Sequence, residues 1–303
     1  MSDSPASVDP GLRAPALLYI MGTGRSGSTI LEILLAAAAG VHGGGELFDV
    51  IEDGVIRNVN CSCGAAFADC PVWHSVAQAI TPSIGNAQAA NAEFRRVEWH
   101  GGFWRQWLAS KPLPELYARY QNVLIDALRR ASGQATVIDS SKYAGRALAL
   151  HRLFGPRMKV IWLVRRPAGI LHSLRKPNRD EQRPKPLVRA VLYVAYVMLC
   201  CRLAQARLGD DCRVLHYEDL LSEPGPTLQA LTQWTGLDFN TVAARATQGA
   251  TFDPGHVITG NRLRLQKTIR LLPARDEYRE LPAPWKFASK LLGLLYLAFS
   301  LTK

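Results

Sequence analysis

The distribution of apolar and polar positions along the chain follows two periods in turn. Runs of four to six apolar, β-branched or aromatic residues at Leu17–Met21, Thr136–Asp139, Lys159–Val164 and Arg213–Tyr217 predict short buried strands. Between them, apolar residues recur at helical spacing over Thr29–Ala39, Leu116–Arg130, Ala144–Leu153 and Thr227–Thr235. This alternation predicts an α/β fold, a parallel sheet flanked by helices whose ligands meet the C-terminal strand ends. All four strands run into polar clusters: the Gly22 loop, Asp139-Ser140-Ser141-Lys142, Arg165, and Tyr217-Glu218-Asp219.

Three stretches break the alternation. Residues 41–111 form a long region with Trp73, Trp99, Phe103, Trp104 and Trp107, which reads as an acceptor-side insertion whose aromatics serve either the core or a substrate platform. The proline-rich, basic segment Leu174–Leu187 fits a lid. Residues 285–303 form an apolar, basic helix that either packs on the core or lies on a membrane surface. Residues 1–15 are expected to be a flexible polar lead, and no internal repeat divides the chain, so residues 1–303 are expected to form a single domain with helical insertions. The apolar runs Ala190–Cys201 and Leu291–Phe299 are shorter than the roughly 20 residues that cross a bilayer, and no signal peptide is legible before Leu17. The expectation is a cytoplasmic protein with membrane contact, if any, through its last helix.

With 48% hydrophobic residues the chain can bury a sizeable core, and its net charge of +11 calls for an anionic partner. The basic patches lack interleaved aromatics, which argues against nucleic acid as that partner. The Gly22 loop narrows the choice. Gly22 and Gly27 have the spacing of a Walker-type loop, but Ser28 stands where nucleotide triphosphatases carry lysine. What remains is Arg25 and the hydroxyls of Ser26, Ser28 and Thr29 beside a helix N-terminus, a set suited to one anionic group. The strand Met158–Val164 ends on Arg165, with Ser173 eight positions later.

Together, Gly24-Arg25-Ser26-Gly27-Ser28-Thr29 and the Arg165…Ser173 pair resemble the 5'-phosphosulfate loop and 3'-phosphate element of sulfotransferases that use 3'-phosphoadenosine 5'-phosphosulfate (PAPS). The resemblance is to bacterial-type members, related to tyrosylprotein and carbohydrate sulfotransferases, and runs from Leu17 to about Arg264. It implies a P-loop-type fold, PAPS as sulfo donor, adenosine 3',5'-bisphosphate as product, and a small-molecule, carbohydrate or lipid hydroxyl as acceptor. By the same resemblance Gly24 to Thr29 cradle the phosphosulfate, Arg165 and Ser173 hold the 3'-phosphate, and Tyr217 lies near the adenine. Asn261 and Arg264, in His256…Gly260-Asn261…Arg264, help hold the nucleotide, and Lys142 points at the bridging oxygen. Arg166 stands where many members have aspartate. Glu46, twenty-one residues after Arg25, matches the glutamate base of tyrosylprotein sulfotransferases, while His42 is the alternative, as in cytosolic members that use histidine. No metal is required, since Arg25, Lys142 and Arg165 handle the charge.

Two other readings compete. A nucleotide-dependent kinase with a degenerate loop would need a magnesium-binding aspartate, for which Asp139 is the candidate. A non-catalytic nucleotide-binding or membrane-surface protein would have no use for Glu46 and Lys142. Among the cysteines, Cys200, Cys201 and Cys212 read as small buried residues. Cys61, Cys63 and Cys70, with His74 beyond, could form a zinc site or a disulfide, although their spacing matches the common zinc patterns poorly. A similar Cys-x-Cys-Gly…Cys-Pro-x-Trp stretch is a feature of bacterial sulfotransferase-like sequences.

Overall fold

The computed structural model describes residues 14–176 and 184–300. Most of the N-terminal lead, the middle of the expected lid and the last three residues of the C-terminal segment therefore lie outside the described residues. Five parallel strands, β1 (Leu17–Gly22), β2 (Val41–Gly43), β3 (Thr136–Lys142), β4 (Met158–Val164) and β5 (Cys212–His216), form a sheet in the order β2-β3-β1-β4-β5. The order reverses around β1, so the C-terminal ends of β1, β3 and β4 open onto one crevice. Strand β2 is absent from the sequence reading because three residues are too few to show alternation. It also moves the start of the 41–111 stretch into the sheet itself.

The helices are α1 (Ser28–Leu35), α2 (Trp73–Ile84), α3 (Ala87–Glu98), α4 (Phe103–Trp107), α5 (Glu115–Ser132), α6 (Ala144–Phe154), α7 (Pro167–Arg175), α8 (Leu187–Leu208), α9 (Tyr217–Ser222), α10 (Pro224–Thr235), α11 (Asn240–Thr247) and α12 (Ala283–Ser300). A small antiparallel hairpin, β6 (Thr251–Phe252) with β7 (Ile269–Arg270), lies outside the main sheet. The central strand β1 is apolar on both faces, as a sheet covered on both sides requires. Leu17, Tyr19 and Met21 enter the core shared with α2, α5, α6 and α8, while Leu18 and Ile20 enter the core of α1, α10 and α11.

Helix α8 is longer than the apolar run seen in the sequence, and the stretch Leu187–Asp211, whose most apolar 18-residue window has a mean hydropathy of 1.8, could cross a membrane by length and composition. Its contacts tie it into the domain instead. Val197, Cys201 and Ala204 are buried in the core under the sheet, and the Tyr193 hydroxyl accepts a hydrogen bond from the Gly24 N–H at 2.9 Å. Helix α12 packs Ala288 and Leu292 against α7 and α8, and the Tyr296 hydroxyl meets His216 Nδ1 at 2.7 Å. Its other face leaves Phe287, Leu291, Leu294 and Leu297 exposed. The aromatics of 41–111 divide between core and surface: Trp73 and Phe103 are buried, Trp107 is half-buried, and Trp99 and Trp104 are exposed.

Candidate active site

Strand β1 delivers the chain into the Thr23–Gly27 turn, and α1 starts at Ser28 with no side chain capping its N-terminus. Its first-turn N–H groups lack helical partners, so this end favours an anion. Gly27, at φ 97°, is needed twice over: the backbone is left-handed there, and a Cβ would lie 2.3 Å from the Tyr217 ring. The loop therefore rests directly on that tyrosine.

Two non-glycine residues at the strand ends share this left-handed backbone, Arg25 at φ 72° and Lys142 at φ 75°. Such conformations persist only where surrounding structure holds them, and they concentrate at functional sites. For Lys142 the cause is visible in the sheet register. Tyr19 pairs with Asp139, but Met21 pairs with Lys142, so β3 carries an extra residue that bulges the strand. Lys142 is thereby turned onto Glu46, with which it forms an ion pair, while its ammonium also lies 3.4 Å from the Ser140 carbonyl.

Glu46 is held by the backbone around it. The Gly45 N–H donates to Glu32 Oε1 at 2.5 Å, the Ser140 N–H donates to the Gly45 carbonyl at 2.9 Å, and the Thr259 hydroxyl donates to the Glu46 carbonyl at 2.7 Å. Glu32 is fully buried in α1, where burial pushes its carboxyl up to about 8, and it also meets the Ser140 hydroxyl at 2.7 Å. This carboxyl escaped the sequence reading, although a glutamate inside the apolar run Leu31 to Ala39 is the signal that could have found it.

Arg165, at the end of β4, stacks over Tyr217 with its guanidinium 4.7 Å from the ring centroid. It donates to the Arg25 carbonyl at 2.9 Å and pairs with Glu277 at 2.7 Å. Gly169 leaves it room, since a Cβ there would come within 2.5 Å of the guanidinium.

These groups converge on a cavity of about 780 Å³. Of the residues singled out in the sequence, Gly24, Arg25, Gly27, Ser28, Thr29, Glu46, Lys142, Arg165, Ser173, Tyr217, Asn261 and Arg264 line it. Ser26 does not; it is buried under the loop with its hydroxyl unpaired. His42 is also outside the lining, buried in β2, where desolvation holds its imidazole down near 4. The Asn261 side chain caps the turn that follows by accepting from the Leu263 N–H at 3.1 Å, and Arg264 donates to the Asn60 carbonyl at 2.9 Å. Asp49, Asp53, Arg57 and Tyr143 complete one wall without having been expected. Burial pushes the Asp49 carboxyl up to about 6 although Arg95 pairs with it at 2.5 Å. None of the five tryptophans and phenylalanines noted in 41–111 lines the cavity, so the platform reading of those residues gives way to core and surface roles. A second cavity of about 350 Å³ adjoins the first through Ile30, Arg165, Tyr217 and Leu263 and continues past β7.

Two expectations change. Asp139, the candidate magnesium ligand, is fully buried and already engaged: it accepts from the Ser141 N–H at 3.0 Å, from the Ser141 hydroxyl, and from Arg146 Nε at 2.8 Å. Arg146 is itself buried and bonded to Glu98 and Gln121, so Asp139 is a member of an internal polar network rather than a cavity ligand. His74 turns away from the three cysteines, bonding the Ala68 carbonyl at 2.7 Å and Gln78 at 3.0 Å. The histidine brought to Cys61, Cys63 and Cys70 is His256.

No curated protein matches the chain. The sulfotransferase domain of the curacin biosynthetic pathway superposes with a TM-score of 0.53 at 19% identity, covering 96% of this chain and all 100% of that one, which establishes a shared fold. Sulfotransferase STF9 from Mycobacterium avium gives a TM-score of 0.49 at 15% identity, with 94% of this chain and 77% of that chain covered. Residues 16–241, well over half of the chain and including the phosphate loop, the Lys142 bulge and Arg165, match the model of the sulfotransferase family, and the chain belongs to that family.

Proposed function

We propose that the protein transfers a sulfo group from PAPS to a hydroxyl acceptor and leaves adenosine 3',5'-bisphosphate. The observation that carries this reading is the Lys142–Glu46 ion pair on the wall of a cavity that also receives Arg25 and the uncapped N-terminus of α1. The α1 N–H groups, Ser28, Thr29 and Arg25 would hold the 5'-phosphosulfate. Arg165 sits on the boundary of the two cavities, where it and Ser173 would take the 3'-phosphate while the nucleoside reaches toward the second cavity.

The acceptor, a small-molecule, carbohydrate or lipid hydroxyl, would enter past Asp49, Asp53, Arg57 and Tyr143. As its oxygen attacks sulfur, its proton passes to the Glu46 carboxylate. The bond from sulfur to the 5'-phosphate oxygen breaks, and its electron pair stays on that oxygen, where the Lys142 ammonium stabilises the new charge. Donor binding would draw Lys142 from Glu46 to the phosphate and so free the carboxylate to act as base. The test is a thermal-shift comparison. Adenosine 3',5'-bisphosphate should stabilise the protein and ADP should not, with magnesium making no difference; stabilisation by ADP only with magnesium would favour the kinase reading.

The exposed apolar face of α12, with Lys286 and Lys290 beside it, extends the proposal to location: the protein sits in the cytoplasm and docks peripherally on anionic membrane through this helix.

A further inference from the structure

We propose that Cys61, Cys63, Cys70 and His256 form a structural zinc site that fastens the 61–70 loop to the 255–264 segment. The four candidate ligand atoms lie within 4.8 Å of one another. A tetrahedral zinc with Zn–S of about 2.3 Å and Zn–N of about 2.0–2.1 Å sets its sulfurs about 3.8 Å apart and its sulfur and nitrogen about 3.6 Å apart. Cys63 and Cys70 sulfurs stand 3.8 Å apart, and His256 Nδ1 stands 3.2 Å from Cys70 and 4.0 Å from Cys61, values that bracket that geometry. Three thiolates and an imidazole are the donor set that selects zinc over magnesium or calcium. With four protein ligands no coordination position is left for substrate, so the role is structural.

The surrounding backbone is built for it. The chain turns tightly after Cys61, with the Gly64 N–H on the Cys61 carbonyl at 2.9 Å and the Cys61 N–H on the Ala65 carbonyl at 2.8 Å. The Cys63 N–H points at the Cys61 sulfur, the Ala65 N–H at the Cys63 sulfur, and the Val72 and Trp73 N–H groups at the Cys70 sulfur, so backbone donors already face all three sulfurs. Opposite, the Trp73 indole donates to the His256 carbonyl at 2.7 Å and the Val257 N–H donates to the Ser62 hydroxyl at 2.8 Å, so the second segment is already aligned. That segment continues into Gly260, Asn261 and Arg264 on the cavity wall. The site would therefore hold one side of the nucleotide cavity in place from outside it.

The experiment uses the full-length protein, expressed with zinc in the medium and purified without a metal-affinity step. Plasma mass spectrometry should find one equivalent of zinc per chain, and chelation under denaturing, reducing-agent-free conditions should release it and leave all six cysteines titratable as free thiols, the ligands Cys61, Cys63 and Cys70 among them. Cobalt(II) in its place should give the visible bands of a tetrahedral ion together with sulfur-to-cobalt charge transfer. His256→Cys should keep one equivalent and shift those cobalt bands, whereas Cys70→Ser should lose the metal; if Cys70→Ser fails to fold, the wild-type and His256→Cys measurements decide. Metal content well below one equivalent with no thiolate bands on cobalt reconstitution would overturn the proposal. So would a Cys63–Cys70 disulfide in the protein as isolated. None of these readouts depends on sulfo transfer, so their failure leaves the proposed reaction standing.

Discussion

Lys142 and Glu46 face each other across the proposed reaction line, and their roles separate under mutation. Charge on the leaving oxygen grows as the bond breaks, so Lys142→Ala should cut turnover on the order of 10²-fold or more while leaving donor affinity nearly intact. Turnover near wild type would make the lysine a structural partner of Glu46 only. Glu46→Gln keeps size and hydrogen bonding but cannot take a proton at neutral pH, so turnover should fall roughly 10²- to 10⁴-fold. His42→Gln should be far milder, because His42 lies off the cavity. Loss of turnover in the histidine variant with retention in the glutamate variant would reverse the assignment. Arg165 makes a third case. Its guanidinium is engaged with the Glu277 carboxylate at 2.7 Å, a partner that a 3'-phosphate would have to displace. Glu277→Gln should therefore tighten adenosine 3',5'-bisphosphate several-fold in a calorimetric titration, and Arg165→Ala should erase its preference over adenosine 5'-monophosphate. Weaker binding in Glu277→Gln would mean that the carboxylate orients the arginine for its ligand instead.

Helix α1 carries both the anion-binding N-terminus and Glu32, whose carboxyl pins the Gly45 turn and Ser140 and thereby sets Glu46 against Lys142. Burial raises the Glu32 pKa from 4.5 to about 8, so the folded state binds this proton more tightly than the unfolded chain does. The stabilisation linked to that proton is fully present below about 4.5 and is lost as pH rises through about 8. Relative to Glu32→Gln, which has no such proton to lose, wild type should lose several degrees of Tm between those two pH values. A Tm difference independent of pH would show that the carboxylate is stabilised there in its ionised form. At this scale the limits of the sequence are physical. The phosphate loop, Lys142 and Arg165 were legible because each falls in a short motif at the end of an apolar strand, where a few consecutive residues or a fixed spacing carry the signal. Strand β2 was not, being three residues long, and Asp49, Asp53 and Arg57 were not, because they lie on a 3-10 turn (Leu47–Asp49), inside the π-helical turn that follows it (Val50–Ile56) and at that turn's C-terminal end, none of which keeps the usual helical period. His256 lies 186 residues from Cys70, a distance over which spacing carries no information.

For the molecule as a whole, the net charge of +11 exceeds what one nucleotide needs, and α12 gives the surplus a direction. Phe287, Leu291 and Leu294 recur at i, i+4 and i+7 on its exposed face, Lys290 lies exposed beside them, and the opposite face is already spent on α7 and α8. An apolar stripe flanked by lysine gains from both acyl chains and anionic headgroups, so binding should need both. The protein should sediment with vesicles containing phosphatidylserine, should not sediment with purely zwitterionic vesicles, and should be released as salt rises and screens the headgroup attraction. Leu291→Glu together with Leu294→Glu should abolish vesicle binding while leaving Tm and turnover on a water-soluble acceptor unchanged, because both side chains are more than half exposed and neither lines the cavity. If the wild-type protein ignores anionic vesicles, or if the double glutamate variant still sediments with them, α12 is not the membrane contact.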